Sequence, residues 1–243
     1  METILTLCAH NDDQIIGAGG TLTKYAREGK RIRTVIFSFG ESSHPHLKPQ
    51  VIMRQRIKES LLSDKIMGGS GVAYLGLKEG RFFDEFKRKG IKGKIRATIA
   101  QERPSKIFTH SANDPHPDHH AAYCLVQELV SEGLKVPVFT FDVWSLFKWR
   151  NIHTPRLVVD MSETFDTKIR ALMAHKSQKL TIVNLLWSIY VKAVLNGWRN
   201  KCKYAEMFYQ LVPAHEFKAS QSSSAEMLGR RSLLSLEMRK HFH

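Results

Sequence analysis

The stretch TILTLCAHNDDQ, residues 3–14, is an apolar segment that runs directly into a polar cluster. Its β-branched and apolar first part, residues 3–9, is typical of a buried strand. Residues 15–29 follow with an apolar stripe at helical spacing and a final glycine, which is typical of a helix end. A strand that leads straight into a helix begins a strand–helix–strand crossover, so this opening favours a parallel sheet.

The same alternation of strands and helices continues along the chain. Further strands are predicted at residues 33–39, 72–77, 106–110, 136–144 and 156–161, and helices at residues 50–67, 91–102, 119–133, 163–177 and 180–196. Crossovers of this length predict an α/β fold with a mostly parallel sheet and helices on both faces. No linker separates two domains, so residues 1–217 are predicted to form one domain. A serine-rich tail follows at residues 218–243, and its leucines could form a docking helix.

The composition is that of an ordinary globular protein. Of the 243 residues, 42% are hydrophobic and 25% are charged, which excludes collagenous, low-complexity and largely disordered chains. No apolar run approaches the ~18 residues of a membrane-spanning helix, because Asn184 and Ser188 interrupt the best candidate, residues 180–190. The N-terminus lacks signal-peptide features, and three cysteines are too few for a disulfide framework. We therefore expect a cytoplasmic protein.

The charge balance is strongly basic, with 37 Lys and Arg against 23 Asp and Glu, or +14. Such an excess is typical of proteins with an anionic partner, although solubility alone would also explain it. The basic stretches lack the signatures of RNA-binding, helix-turn-helix and zinc-finger domains. We expect no specific nucleic-acid binding, and an anionic small-molecule substrate is the alternative that the charge favours.

Two polar clusters follow predicted strands, at residues 10–14 and 114–120. Ligands of open α/β sheets bind at the carboxyl ends of strands, where both clusters are placed. Together they supply the imidazoles and carboxylates that a catalytic zinc needs as three ligands, with groups left over for proton transfer. Either cluster alone could be a helix cap or a proline-shaped turn. The pair at matching sheet ends favours a metal site.

The two clusters resemble the metal motifs of a known family. AHNDDQ is similar to the AHPDDE signature, and DPHPDHHAA to the HPDH motif, of the LmbE-like (PIG-L) zinc-dependent de-N-acetylases. MRQRIKE with YLGLKEGRF is similar to the Arg-rich helix and the LG-x-x-D-G loop of the family, and YAEMF to its late Y-x-E-x-F segment. The resemblance covers roughly residues 1–212 and implies a Rossmann-like three-layer α/β sandwich.

The resemblance also implies residue roles. It implies three ligands for Zn²⁺: His10, Asp13 and His119. Two histidines and one carboxylate also suit iron(II), which leaves the native metal open. Asp12 would be the general base that activates water, and His116 would stabilise the oxyanion or protonate the leaving amine. Asp118 would orient a catalytic imidazole.

The chain departs from the family pattern at several positions. Asn11 replaces the usual proline and Gln14 the usual glutamate, neither of which has a ligand role. Glu79 stands where the family has an aspartate that contacts a sugar hydroxyl, which leaves the substrate in doubt. Either Arg54 or Arg56 would be the substrate-facing arginine, and we prefer Arg56.

The sequence therefore predicts a metal-dependent hydrolase that removes the acetyl group from an N-acetylglucosamine-type amino sugar, with Arg56 and Glu79 as substrate-binding residues. One alternative is an amidase that acts on another N-acyl compound or a thiol–sugar conjugate. The other is a basic, non-catalytic binding protein with a structural metal. The oligomeric state stays open.

Overall fold

The structure is a computed structural model, and it describes residues 1–42, 48–144 and 155–213. Within these residues the strands are β1 (Thr3–Cys8), β2 (Arg31–Ser38), β3 (Val72–Leu77), β4 (Lys106–His110), β5 (Val138–Phe141), β6 (Arg156–Asp160) and β7 (Ala205–Gln210). The helices are α1 (Asp13–Arg27), α2 (Pro49–Met67), α3 (Phe82–Arg88), α4 (Ile91–Glu102), α5 (Pro117–Ser131), α6 (Phe165–Met173) and α7 (Lys179–Arg199). The predicted helix in the tail, residues 218–243, lies outside the described residues.

The seven described strands form one sheet in the order β3-β2-β1-β4-β5-β7-β6. The first five of these are parallel, because helices carry the chain back between them. At the other edge, β7 runs antiparallel to both β5 and β6. The strand order reverses at β1, which lies between β2 and β4. This is the switch point at which open α/β sheets bind their ligands.

The sheet is buried on both faces, as the predicted three-layer architecture requires. Successive residues of β1 point to opposite faces, so that Ile4 and Cys8 join one core and Leu5 and Leu7 the other. Helices α1, α6 and α7 cover the first face, and α3, α4 and α5 cover the second. The predicted α/β fold with a mostly parallel sheet is therefore confirmed.

Two elements of the sequence carried no prediction. Helix α3 has seven residues, FFDEFKR, and is too short for a periodic pattern to be seen; Phe82 and Phe86 stabilise it by packing into the second core. Strand β7, AEMFYQ, exists because it pairs with β5 and β6, which are far from it in the sequence. Long-range pairing of this kind leaves little local signal.

Helix α7 is longer and more apolar than predicted. With the preceding turn it spans Lys176–Arg199, and by length and composition this segment would suffice to cross a membrane, with a third of the tested window buried in the protein. A core helix of a soluble protein passes the same test. Ile182, Leu185 and Ile189 do pack into the first core.

A buried ion pair ties three elements together. The Lys168 ammonium of α6 lies 2.7 Å from Glu206 Oε1 of β7 and donates to the backbone oxygen of Ile16 at 2.7 Å. The Glu206 carboxylate also accepts from the backbone amides of Gly20 and Thr21 in α1, at 3.1 and 2.7 Å. Because every one of these groups is shielded from water, the pair fixes α1 against the sheet. The first turn of α1 carries Asp12 and Asp13.

Candidate metal centre

The loops after β1 and β4 bring the two polar clusters together. Asp13 is the first residue of α1, and the backbone oxygen of Asp12 accepts the first helical amides, from Ile15 and Ile16. In the second loop, Pro117 begins α5, and His116 is its N-cap, with Nδ1 accepting from the backbone amide of Asp118 at 3.2 Å. The turn geometry of both helix starts therefore aims the side chains at the gap between β1 and β4.

Three predicted ligands meet at one point. His119 Nε2 lies 3.2 Å from Asp13 Oδ1 and 3.2 Å from His10 Nδ1, and His10 Nδ1 lies 3.6 Å from Asp13 Oδ2. Ligand atoms ~2.0–2.1 Å from a tetrahedral zinc are separated by about 3.3–3.4 Å. The three separations are close to this value, with the Asp13 carboxylate presenting a different oxygen to each ring. All three side chains are buried. The donor set and its geometry therefore fit a divalent cation.

The charges of this group explain why it attracts a cation. Burial opposes ionisation of Asp13, but the neighbouring His119 and His110 rings outweigh it and hold the pKa of the carboxyl well below its usual range. Burial also disfavours the charged form of His10, yet Asp118 and Asp13 raise its pKa to about 10. The pKa of His119 is raised to about 9, against its burial, by Asp13 and Asp114. A cation that binds these nitrogens must displace protons from them.

Two carboxylates orient the imidazole ligands from behind. His119 Nδ1 lies 2.9 Å from Asp114 Oδ1, and His10 Nε2 lies 3.3 Å from Asp118 Oδ2. Each carboxylate favours the proton on the nitrogen that it faces, so that the other nitrogen of the ring is free to bind a metal. Asp118 thus contacts His10, and it is further fixed by the backbone amide of Gly80 at 2.8 Å.

Asp114 received no role from the sequence. Its carboxylate is buried and accepts three backbone amides, from Val143 at 2.8 Å, Trp144 at 3.2 Å and His116 at 3.2 Å. Burial raises the pKa of Asp114, but the contact with His119 dominates and lowers it to about 2. The sequence did contain a signal for Asp114, namely its position two residues before His116.

His110 was also missed, although it ends β4 at the switch point. Its Nε2 accepts from the backbone amide of Ala9 at 3.0 Å and lies 3.2 Å from Asp13 Oδ2, and its ring stacks on His119 with centroids 4.0 Å apart. Burial and the adjacent His119 lower the pKa of His110 to about 4. With Asp13 and His119 it forms a second group of possible ligands, which overlaps the group of His10, His116 and His119.

Asp12 faces an arginine. Arg56 is 3% exposed, and its Nη2 lies 3.4 Å from Asp12 Oδ1. The guanidinium packs over Gly40, where a Cβ would come within 2.7 Å of Arg56 Nε. Arg54, two residues away on α2, is exposed. The structure thus brings Arg56, and not Arg54, to the centre.

His116 and Glu79 lie at the mouth of the centre. The half-buried His116 ring stacks on His119 with centroids 4.6 Å apart, and burial and the nearby His10 lower its pKa. Glu79 Oε1 lies 3.8 Å from His10 Nε2, and Glu79 Oε2 accepts from the backbone amide of Ser42 at 2.9 Å. All eight side chains that the sequence singled out therefore gather at one edge of the sheet.

The two departures from the family signature point away from the centre. Asn11 Nδ2 donates to the Phe39 oxygen at 2.9 Å, and Asn11 Oδ1 accepts from the Tyr74 hydroxyl at 2.6 Å. Gln14 Nε2 donates to the backbone oxygen of Asn11 at 3.1 Å. Both amides are buried, and they hold the loop that carries the first ligand.

Comparisons with known proteins show which family and fold the chain resembles. The profile of the GlcNAc-PI de-N-acetylases (PIG-L) matches residues 5–130. The diacetylchitobiose deacetylase of Thermococcus kodakarensis is 26% identical over 223 residues, which cover 85% of this chain and 82% of that protein. A probable N-acetyl-alpha-D-glucosaminyl L-malate deacetylase 2 of Bacillus cereus is 29% identical over 184 residues, covering 72% and 83%. Among solved structures, the 4-carboxy-2-hydroxymuconate hydratase of Pseudomonas putida has the same fold, with a TM-score of 0.71 at 22% identity over 88% of this chain and 97% of that chain.

Proposed function

Because this chain belongs to the GlcNAc-PI de-N-acetylase (PIG-L) family, we propose that it is a metal-dependent hydrolase that removes the acetyl group from an N-acetylglucosamine-type amino sugar. The observation that carries the proposal is the surplus of groups at the centre. Three ligands are enough for a cation, yet a second carboxylate, Asp12, and a third imidazole, His116, lie beside them. A structural metal site does not require these groups, whereas water activation requires a base and the developing oxyanion requires a hydrogen-bond donor.

The cation would be held by His10, Asp13 and His119, whose spacing fits zinc. Once bound, it would polarise the acetamide carbonyl and lower the pKa of water towards ~7. Iron(II) accepts the same two-histidine, one-carboxylate set, so metal analysis of the purified protein decides between them.

Asp12 is the proposed general base. It is buried and adjoins the ligand Asp13, and its Oδ1 lies 3.4 Å from Arg56 Nη2. The carboxylate would take one proton from water as the oxygen attacks the acetamide carbon. Arg56 also limits the rotamers of the carboxylate, which keeps the accepting oxygen in place. The positive charge of Arg56 would further suit an anionic substituent on the substrate.

His116 is the proposed hydrogen-bond donor to the developing oxyanion. Because its Nδ1 accepts from the backbone amide of Asp118, the proton of the neutral ring is on Nε2. This N–H would stabilise the negative charge that develops on the carbonyl oxygen, and the departing nitrogen would receive the proton that Asp12 took from water. The carbon–nitrogen bond then breaks to give acetate and the free amine.

The substrate class is supported by the relatives, two of which are described as deacetylases of N-acetylglucosamine compounds. Glu79 at the mouth is placed to accept a hydrogen bond from a sugar hydroxyl, since its Oε1 faces the centre while its Oε2 is held by the Ser42 amide. The three cysteines are unpaired, which supports a reducing, cytoplasmic location.

The test is acetate release from a panel of substrates by the zinc-loaded protein. The panel contains N-acetylglucosamine, diacetylchitobiose, an N-acetylglucosaminyl malate and an N-acylated thiol–sugar conjugate. We expect turnover of at least one, and we expect Asp12→Asn to lower kcat by about 10²–10⁴-fold. Asp84→Asn, an exposed carboxylate on α3, is the control and should keep full activity.

Three outcomes contradict the proposal. Full activity of Asp12→Asn would show that Asp12 is not the general base. A folded, metal-loaded protein that releases acetate from no substrate of the panel would show that the chain is not a deacetylase of this class. Hydration of an unsaturated carboxylate without acetate release would assign the chain to the chemistry of its hydratase neighbour instead.

A further inference from the structure

The exposed side of α7 is mostly apolar, which is unusual for a surface helix. Leu180 is 84% exposed, Trp187 58% and Trp198 78%. Five more apolar residues between them are exposed: Val183, Tyr190, Val191, Val194 and Leu195. These eight residues form what we call the outer face of α7. The opposite side of the same helix is packed into the core, so α7 is apolar all round.

The outer face is continuous and large. Its residues recur at spacings of three and four, so they form one stripe, about 27 Å long between Leu180 and Trp198. Taking roughly 200 Å² for a fully exposed large side chain, the stripe exposes on the order of 900 Å². The largest apolar patch on a typical monomer is about 300–600 Å². An area of this size marks a binding surface.

The segment that carries the outer face is basic. Residues 176–203, which comprise α7 and its flanks, contain six Lys and Arg and no Asp or Glu. Lys176 and Lys179 lie at the start of this segment, and Arg199 and Lys201 lie near its end. These four side chains make no ion pair within the part of the chain that the structure describes. The apolar stripe is therefore flanked at both ends by basic side chains.

We propose that the outer face of α7 docks this protein onto an anionic membrane surface. A helix in the plane of the interface buries its apolar side about 5–10 Å deep and keeps basic residues at the level of the lipid phosphates. Trp187 and Trp198 suit this position, because the indole ring has an apolar body and a polar N–H. The net charge of +14 would add long-range attraction to the negative cytoplasmic leaflet.

Charge also disfavours two other occupants. A second copy of this chain would bring the same basic ends together across a two-fold axis, with no acidic residue in α7 itself to neutralise them. The tail at residues 214–243 carries five Lys and Arg against three Glu, so it has the same sign as the helix ends. An anionic lipid surface is the occupant that complements both the apolar stripe and its flanks.

The topology links this surface to the metal centre. Helix α7 leads into β7, whose first residue, Ala205, pairs with Asp160 at the end of β6. β6 runs parallel to β5, so this end of β7 lies at the carboxyl edge of the parallel strands, where the centre also lies. Docking through α7 would bring that edge close to the lipid headgroups.

Vesicle flotation of the full chain tests the proposal. The probes are vesicles of phosphatidylcholine alone and vesicles of phosphatidylcholine mixed with the anionic lipid phosphatidylglycerol. We expect binding to the anionic vesicles, weakened by high salt, together with a blue shift of tryptophan emission. Replacing both exposed indoles, by Trp187→Ser with Trp198→Ser, should lower the partition coefficient about tenfold or more.

The matched control is Phe83→Ser. Phe83 is 56% exposed, but it belongs to α3 on the opposite face of the sheet, so its replacement should leave binding unchanged. Equal circular dichroism and thermal unfolding of all variants shows that the fold is intact. Failure of the full chain to float, equal binding to both vesicle types, or equal binding by the double tryptophan variant would each refute the proposal. A folded protein that self-associates through the two tryptophans and ignores vesicles would show that a second copy covers the face.

Discussion

Replacement of Asp114 by asparagine should weaken metal binding without removing any ligand. Asp114 Oδ2 accepts from the backbone amides of Val143 and Trp144, and Asp114 Oδ1 faces His119 Nδ1 at 2.9 Å. In Asp114→Asn the amide oxygen must stay with the two backbone donors, so the NH₂ group turns towards His119. A donor at that position favours the tautomer with its proton on Nε2, the nitrogen that should bind the metal.

The expected magnitude follows from this change of tautomer. Loss of a carboxylate behind a metal-bound histidine costs about 10–100-fold in affinity. This corresponds to about 1.4–2.7 kcal/mol of binding free energy. The zinc affinity of both proteins can be measured by competition with a chromophoric chelator at constant pH, together with kcat/KM for acetate release. The zinc affinity and kcat/KM should fall by similar factors when zinc is not saturating, because the replacement lowers the fraction of protein that holds the metal.

Asp64→Asn provides a matched control. Asp64 is also a buried carboxylate that accepts a backbone amide, from Gly71 at 3.0 Å, but it contacts no imidazole of the described residues. Its replacement should leave zinc affinity within about twofold, since no metal-facing histidine depends on it. A folded Asp114→Asn protein that binds zinc as tightly as the wild type would show that this carboxylate does not set the tautomer of His119.

The remaining predictions concern stability and protons. Lys168→Met leaves the Glu206 carboxylate buried without its cation and should cost about 3–5 kcal/mol in urea unfolding. A second replacement, Glu206→Leu, should restore much of this loss, and an unchanged free energy of unfolding would contradict the buried pair. In the metal-free protein the interactions that raise the pKa values of His10 and His119, to about 10 and about 9, stabilise the fold fully below pH ~6.5, and this contribution is lost as the pH rises through those values. Because both pKa values lie above 7, both rings carry a proton on the nitrogen that would bind the metal, so zinc binding at pH 7 should release about two protons from this pair. Calorimetry in buffers of different ionisation enthalpy measures the release, and zero release would contradict the raised pKa values.

The position of the centre could be predicted from the sequence alone, because two short polar clusters follow strand ends and parallel strands bring such ends to one edge. The choice of His10, Asp13 and His119 within those clusters came from the resemblance to the family motifs. His110 and Asp114 were not found, because their roles depend on neighbours. His110 matters through its stacking on His119, and Asp114 through amides about 30 residues further along the chain.

The fold shows the same division between local and distant information. The strands and helices of the parallel part carry their own periodicity, and the structure has them within a few residues of the predicted bounds. β7 became a strand only by pairing with β5 and β6. The local sequence pattern could not decide between Arg54 and Arg56 either. Both belong to α2, and only the packing of that helix determines that Arg56 is buried beside Asp12 while Arg54 is exposed.

The departures at positions 11 and 14 illustrate how a family motif can change without loss of its ligands. Gln14 donates its amide proton to the backbone oxygen of Asn11, a contact that an ionised glutamate could not make because both groups would be acceptors. Asn11 in turn ties the loop to the residue after β2 through the Phe39 oxygen and to β3 through the Tyr74 hydroxyl. At position 11 the amide thus replaces the stiffness of a proline with two hydrogen bonds. The loop that presents His10 keeps its shape by different contacts, so the substitutions alter the support of the centre and leave its chemistry to the same side chains.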